Sequence, residues 1–189
     1  MASSDAAKYD LSSELGKHLD RHLVFPLLEF LQMRKVYPES EILEAKIELL
    51  SKTNMIDFAA DIYKSLHNAK EAPAEMTQRR EEVIANLTDL QQKAEKIVAF
   101  LSNPALVKQL RSDKQYNLTL LKDQHQIEQN DVESLFHYAK FQFECGNYNA
   151  SSEFLYHYRS LNTNTDKGAS ALWGKFASDI LNQHWDAAV

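Results

Sequence analysis

Apolar residues recur along this chain at the three- and four-residue spacing of one helix face. Leu11, Leu15, Leu19 and Leu23 are four residues apart near the start. Residues 76–101 carry a longer stripe in which spacings of four and three alternate: Val83, Leu87, Leu90, Ala94, Ile97 and Leu101. Because residues three and four apart lie on the same side of a helix, this pattern predicts amphipathic α-helices.

The stripe in residues 76–101 has the spacing of a coiled-coil seam but extends over only about three heptads. We therefore interpret it as a helix packed within a helical domain, with an outward-facing coiled-coil seam as the alternative. On the first interpretation, Leu87→Ala or Leu90→Ala should cost about 2–5 kcal/mol of stability, as truncation of buried leucines does.

The longest apolar run is LVFPLL at residues 23–28, and it contains Pro26. Proline cannot donate to a helical ladder, but it is favoured at the first position of a new helix. We expect one helix over about residues 11–22, a break at 23–25 and a second helix from Pro26 to about Lys35. Pro26→Ala should then lower stability by disturbing a buried corner. A membrane span needs about 18 apolar residues, so no span is expected.

The remaining apolar groups predict further helices with short connections. We expect helices over about residues 40–50 and 56–66, a short helix near 106–110 and an apolar segment at 116–121. Asn130 and Glu133 have the spacing of a capping box and open a helix through Phe143. A turn at 146–148 leads to a returning helix, and another helix begins near Leu172.

The last two hairpins repeat one another. Tyr148 and Trp185 are 37 residues apart, and Ala139 and Ala177 are 38 apart. The arrangement is that of a tetratricopeptide-like repeat, with small residues where helices cross and an aromatic residue at the turn. The predicted repeat-packing residues are Ala139, Tyr148, Ser151, Ala177 and Trp185. The fold class predicted from the pattern is all-α: a helical-repeat solenoid of antiparallel helix hairpins.

Composition agrees with helices joined by short loops and narrows the choice of partners. The chain has only 4 Gly and 4 Pro, too few for the many turns of an all-β fold. Its net charge is −6, so no direct binding to nucleic acid is expected. A single cysteine, Cys145, allows no intrachain disulfide and suits a reducing compartment.

The candidate reactive groups favour structural over chemical roles. His18 and His22 lie four apart but lack the glutamate that follows the first histidine in a metalloprotease motif. Cys145 has no CxxC partner, and no phosphate-cradling glycine loop occurs. We therefore expect no catalytic, cofactor-binding or metal-binding residues. A hydrolase or metal enzyme on a helical scaffold is the rival hypothesis, and it predicts stoichiometric metal.

Aromatic side chains are concentrated near residues 138–158. Seven of them form this cluster: Tyr138, Phe141, Phe143, Tyr148, Phe154, Tyr156 and Tyr158. Such rings could stack on RNA bases, but few Lys or Arg residues lie between them, so packing within the fold is the preferred interpretation. Exposed members could anchor a protein partner.

Long blocks of the sequence resemble a known family. The blocks are YDLSSELGKHLDRHLVFPLLEFL, ILEAKIELLSKTNMIDFAADIYKSL, YAKFQFECGNYNASSEFLYHYRSL and LWGKFASDILNQHWDAAV. They are similar to the e-subunit family of eukaryotic translation initiation factor 3, whose members are PCI proteins. The resemblance implies helical repeats followed by a winged-helix module, before which this chain stops. We accordingly expect a flexible N-terminus at 1–8 and a helical-repeat domain at 9–189.

The same resemblance implies a function. It is that of a non-catalytic scaffold which binds other subunits of the factor, the d subunit among them, and reaches the small ribosomal subunit and its mRNA through the complex. A PCI-type scaffold of the COP9 signalosome or proteasome lid is the alternative. The location expected is the cytoplasm, with the nucleus left open. Which residues bind a partner is not predicted.

The final hairpin is expected to lack its cover. The chain ends soon after Trp185, so Trp173, Phe176, Ile180 and Leu181 would have no second helix over them. We expect this chain to be a fragment of a longer one, with the last hairpin its least stable part.

Overall fold

The computed structural model describes Leu11, Gly16 and residues 18–188, and helices with short connections make up this part of the chain. The helices are α1 (Arg21–Arg34), α2 (Glu39–Leu50), α3 (Ile56–His67), α4 (Ala74–Leu101), α5 (Pro104–Val107), α6 (Lys114–His125), α7 (Gln129–Glu144), α8 (Tyr148–Leu161), α9 (Thr165–Leu181) and α10 (Trp185–Ala188). Residues 18–188 contain no strand, and the all-α, helical-hairpin prediction is confirmed.

The chain divides into two compact units, with the boundary between Val83 and Ile84 inside α4. In the first unit α2 packs against both α1 and α3. Its core contains Leu50, Ala59 and Ile62, and the half-buried side chains that pack against them are Phe25, Leu43, Ile47 and Met55.

The second unit is built around α7, α8 and α9, each in contact with the next. Its core is larger and also takes in α4, α6 and the connection before α7: Ala94, Ile97, Phe100, Leu101, Leu121, Ile127, Val132, Leu135, Phe136, Tyr138, Ala139, Leu155, Tyr158, Leu161 and Ala171. The α4 stripe from Leu87 to Leu101 thus belongs to a packed core. The preferred interpretation of residues 76–101 is confirmed.

The expected break before Pro26 is wrong, because residues 21–25 are already helical. Asp20 begins α1: its carboxylate accepts hydrogen bonds from the backbone N–H of His22 (2.9 Å) and Leu23 (3.3 Å). Pro26 therefore lies inside the helix, where its ring is exposed and one ladder hydrogen bond is lost. Of the helix expected at 11–22, residues 12–15 and 17 lie outside the described residues. Residues 18–20 are not helical, and residues 21 and 22 belong to α1.

The capping box expected at Asn130 and Glu133 is also wrong. It lies two residues earlier, where the carboxylate of Asp131 accepts from the backbone N–H of Glu128 at 2.8 Å. Glu133 instead forms an ion pair with Lys167 of α9. Acidic residues at several neighbouring positions made the register of this cap ambiguous from the sequence.

Several helices end on a residue in the left-handed conformation. Lys35, Asn68, Gln126 and Gln183 have φ between 48° and 60°, and Gly146 has φ of 82°. A left-handed residue after the last helical turn redirects the chain and lets its N–H reach a free carbonyl. Gly146 is the one glycine in this group, at the turn between α7 and α8.

Candidate protein-binding face

The hairpin of α7 and α8 brings small and aromatic side chains together as the repeat requires. Ala139 and Ser151 are fully buried. Tyr148, the first residue of α8, packs edge-to-face on Phe143 with ring centroids 5.4 Å apart. Three of the predicted repeat-packing residues therefore lie along this helix pair.

The two other predicted repeat-packing residues lie in the last hairpin. Ala177 is half-buried in α9, whereas Trp185 is exposed at the first position of the four-residue helix α10. Trp185 is thus more exposed to solvent than its counterpart Tyr148, which is half-buried against Phe143.

Two features that fix α9 were not predicted from the sequence. At Gly174 an added Cβ would lie 2.9 Å from Leu155 Cδ1, so any larger residue here would require the Leu155 side chain of α8 to shift. Asp179, almost fully buried, accepts hydrogen bonds from the hydroxyl of Ser152 and the ammonium group of Lys175. The i, i+4 spacing of Lys175 and Asp179, and a glycine inside a helical pattern, were the available signals.

Helices α9 and α10 expose a set of large apolar side chains to solvent. We define the α9–α10 face as Leu172, Trp173, Phe176 and Trp185, all exposed. The rings of Trp173 and Phe176 meet edge-to-face at 5.8 Å. Beside them is an open cleft of about 510 Å³, lined by Arg159, Leu172, Trp173, Lys175, Phe176, Asp179, Ala187 and Ala188.

In the preceding hairpin, the positions equivalent to Trp173 and Phe176 are covered by neighbouring side chains. Trp173 is 70% exposed, whereas Leu135, the equivalent residue of α7, is 0% exposed. Tyr138, the equivalent of Phe176, is buried and contacts Phe154 of α8 with ring centroids 5.5 Å apart. Trp173 and Phe176 therefore present to solvent the positions that α7 buries, and a group of large exposed apolar side chains is typical of a binding site.

The remaining candidates offer no reactive constellation. His18 is exposed and His22 is buried. Across Leu11, Gly16 and residues 18–188, no three His, Cys, Asp or Glu side chains are grouped to hold a metal ion. Burial, together with the charge of Glu144, raises the pKa of the Cys145 thiol to about 11, so the thiol is protonated at neutral pH. No helix in the described part is long and apolar enough to cross a membrane.

Comparisons with known proteins identify relatives along the whole chain. A family model described as "eIF3 subunit 6 N terminal domain" matches residues 10–142. The E subunit of eukaryotic translation initiation factor 3 from Arabidopsis thaliana is 54% identical over 181 residues, which are 96% of this chain and 41% of that protein.

Two fungal proteins carry the same description. The one from Emericella nidulans is 46% identical over 188 residues, covering 100% of this chain and 42% of the relative. The one from Schizosaccharomyces pombe is 41% identical over 187 residues, covering 97% of this chain and 37% of the relative. The chain thus spans about two-fifths of the length of these curated relatives.

Proposed function

The chain belongs to the family described as the eIF3 subunit 6 N terminal domain, and from this membership we propose that it is a non-catalytic scaffold of eukaryotic translation initiation factor 3. It binds other subunits of the factor through its helical hairpins, the d subunit among them. Through the assembled complex it contributes to recruiting mRNA to the small ribosomal subunit. The family match is the observation that carries this proposal.

The helical hairpins, the exposed apolar face and the net charge of the chain support a role as a scaffold. Helical hairpins offer long faces to partner helices and extended segments. The exposed α9–α10 face provides such a surface, with aromatic side chains of the kind enriched at interface hot spots. A net charge of −6 opposes direct contact with RNA, so contact with the ribosome is expected to pass through other subunits.

The domain organisation is part of the same proposal. We propose that residues 9–189 belong to one helical-repeat region. The segment expected to be flexible, residues 1–8, lies outside the described residues. We propose that in longer members of the family a further helix covers the α9–α10 face and that a winged-helix module follows. The relatives' greater length supports this arrangement. The alternative assignment to the COP9 signalosome or proteasome lid has no comparable support, because the relatives described above are subunits of the initiation factor.

Co-purification tests the scaffold proposal. The tagged chain is incubated with the other purified subunits of the factor, and the retained subunits are identified after washing. Leu135→Asp is the control for unfolded protein, since Leu135 is fully buried and a carboxylate there disrupts the core. We expect the unaltered chain, and not the control, to retain at least one subunit. Failure to retain any would reject the proposal.

A further inference from the structure

Helix α1 is apolar on two opposite sides. On one side Phe25 packs against the core of the first unit and meets Phe58 at 5.3 Å between ring centroids. On the other side Leu27, Phe30 and Met33 follow one another at three-residue intervals and are 53%, 49% and 77% exposed. A surface helix normally turns a polar side to water, and a helix that is apolar all round is normally covered all round.

The charge on this exposed side is positive. The guanidinium group of Arg34 lies 5.2 Å from the centre of the Phe30 ring, and no carboxylate in the described part of the chain forms an ion pair with it. Lys35, the residue that ends α1, is also exposed. The one exposed carboxylate on α1, that of Glu29, lies 4.0 Å from the ammonium group of Lys46.

We propose that the outer side of α1, formed by Leu27, Phe30, Met33 and Arg34, binds an amphipathic helix of another protein whose apolar stripe is flanked by carboxylates. Burial of three large apolar side chains would supply the attraction. A carboxylate beside Arg34 would fix the register and would be favoured by the uncompensated positive charge. A second copy of this chain fits less well, because two such helices would bring their Arg34 and Lys35 side chains into one interface.

This inference rests on the proposed function in one respect: the partner helix is sought among the other subunits of the factor. It concerns the first unit and is independent of the α9–α10 face.

Oxidative footprinting of Met33 tests the inference on the unaltered chain. Hydroxyl radicals oxidise exposed thioethers, so the oxidation rate of Met33 reports whether its side chain is covered. The rate is measured in the isolated chain and in the reconstituted factor, with half-buried Met55 and Met76 as internal references. We expect Met33 to react about tenfold more slowly in the factor, as a residue buried at an interface centre should.

Three results would overturn the inference. One is an equal Met33 rate in the isolated chain and the factor. Another is a Met33 already protected in the isolated chain at every concentration, which would mean that the chain covers the site itself. The third is protection that grows with the concentration of the isolated chain, which would assign the site to a second copy.

Charge substitutions identify the partner's chemistry. Phe30→Glu and Arg34→Glu should each weaken binding to the remaining subunits at least about tenfold. Ile84→Glu, at a comparably exposed apolar position of α4, is the matched control and should leave binding within about twofold. Circular dichroism verifies that the variants remain folded. If Arg34→Glu binds as the unaltered chain does, the acidic-helix assignment is wrong.

The two proposals fail separately. A chain that retains no subunit refutes the scaffold function. A chain that retains its subunits while Met33 stays fully reactive refutes only the α1 assignment.

Discussion

At the scale of single residues, Asn117 shows how one buried amide can fix several backbone segments. Its Oδ1 accepts from the N–H of Arg111 at 2.8 Å, and its Nδ2 donates to the carbonyls of Arg111 (2.8 Å) and Ser160 (3.1 Å). It thereby joins the connection before α6 to the end of α8. A polar residue in a helix is expected to face water, so the sequence pattern held no sign of this role.

Asn117→Ala should destabilise the second unit by about 1–3 kcal/mol, because it leaves partly buried backbone groups without partners. Asn86→Ala is the matched control, since Asn86 is an exposed asparagine within α4 and its loss should change stability by less than about 0.5 kcal/mol. Urea unfolding followed by circular dichroism measures both variants. Equal midpoints for the two would show that the Asn117 hydrogen bonds add nothing to stability.

At the scale of elements, α1 reverses an expectation about Pro26. The helix begins at Arg21, so proline occupies an interior position rather than the favoured first one. Its ring is exposed and fills no corner. Asp20 as an N-cap and Pro26 at a first helical position each predict a start for this helix. The sequence alone does not show which of the two starts the structure adopts.

Pro26→Ala should therefore raise stability, by about 1–3 kcal/mol, because it restores a ladder hydrogen bond and removes the ring from the helix interior. Pro104→Ala is the internal comparison, as Pro104 opens α5 where proline is well tolerated. Thermal melts of the two variants are compared with that of the unaltered chain. A lower melting temperature for Pro26→Ala would restore the interpretation of a buried corner.

The apolar side chains of helix α4 become more buried toward its C-terminal end. Ile97 is fully buried, Leu87 and Leu90 are half-buried against the same core, and Ile84 is exposed. The periodicity identified the stripe but could not show where along it the core begins, because that depends on the helices that pack against it.

Truncations along α4 should follow this gradient. Ile97→Ala should cost about 2–5 kcal/mol. Leu87→Ala should cost about 1–2 kcal/mol, less than the roughly 2–5 kcal/mol expected from the sequence, because the half-buried side chain leaves a smaller cavity. Ile84→Ala should have little effect. Denaturant melts of the three variants give the order. If Leu87→Ala lowers the free energy of unfolding as much as Ile97→Ala does, the burial of each side chain does not determine its contribution to stability.

The helical hairpins could be predicted from the sequence, whereas the individual side-chain contacts within them could not. Small residues at Ala139 and Ser151 and an aromatic ring at Tyr148 mark a helix crossing, and the structure places them along α7 and α8. The exposed Leu27, Phe30 and Met33 were not predicted as a surface, since periodicity finds an apolar side without showing which neighbour covers it.

At the scale of the whole molecule, stability is expected to differ between hairpins. The α7–α8 pair lies within a buried core, whereas α10 is four residues long and the α9–α10 face is exposed. Local opening free energy follows the amount of packed apolar surface, so the last hairpin should open most readily among the helices of the second unit.

Amide exchange should show this directly. Residues 178–188 should exchange at least about tenfold faster than residues 132–143 in the present chain, because they end in a four-residue helix beside an exposed apolar face. In a chain extended by about 20 residues, enough for one further hairpin helix, exchange at 178–188 should slow. Unchanged exchange in the extended chain would mean that the added segment does not cover the α9–α10 face.

The left-handed residues that end several helices have a consequence for how the sequence can change. Lys35, Gln126 and Gln183 hold a conformation that glycine adopts without steric penalty. Substitution by glycine at these sites should therefore increase the stability of the fold. Gln126→Gly should raise the melting temperature, with a gain of about 1 kcal/mol. Lys108→Gly, at a helix end with φ of −62°, should not. The stability gained by such changes could offset destabilising substitutions elsewhere in the chain, so that the fold is kept.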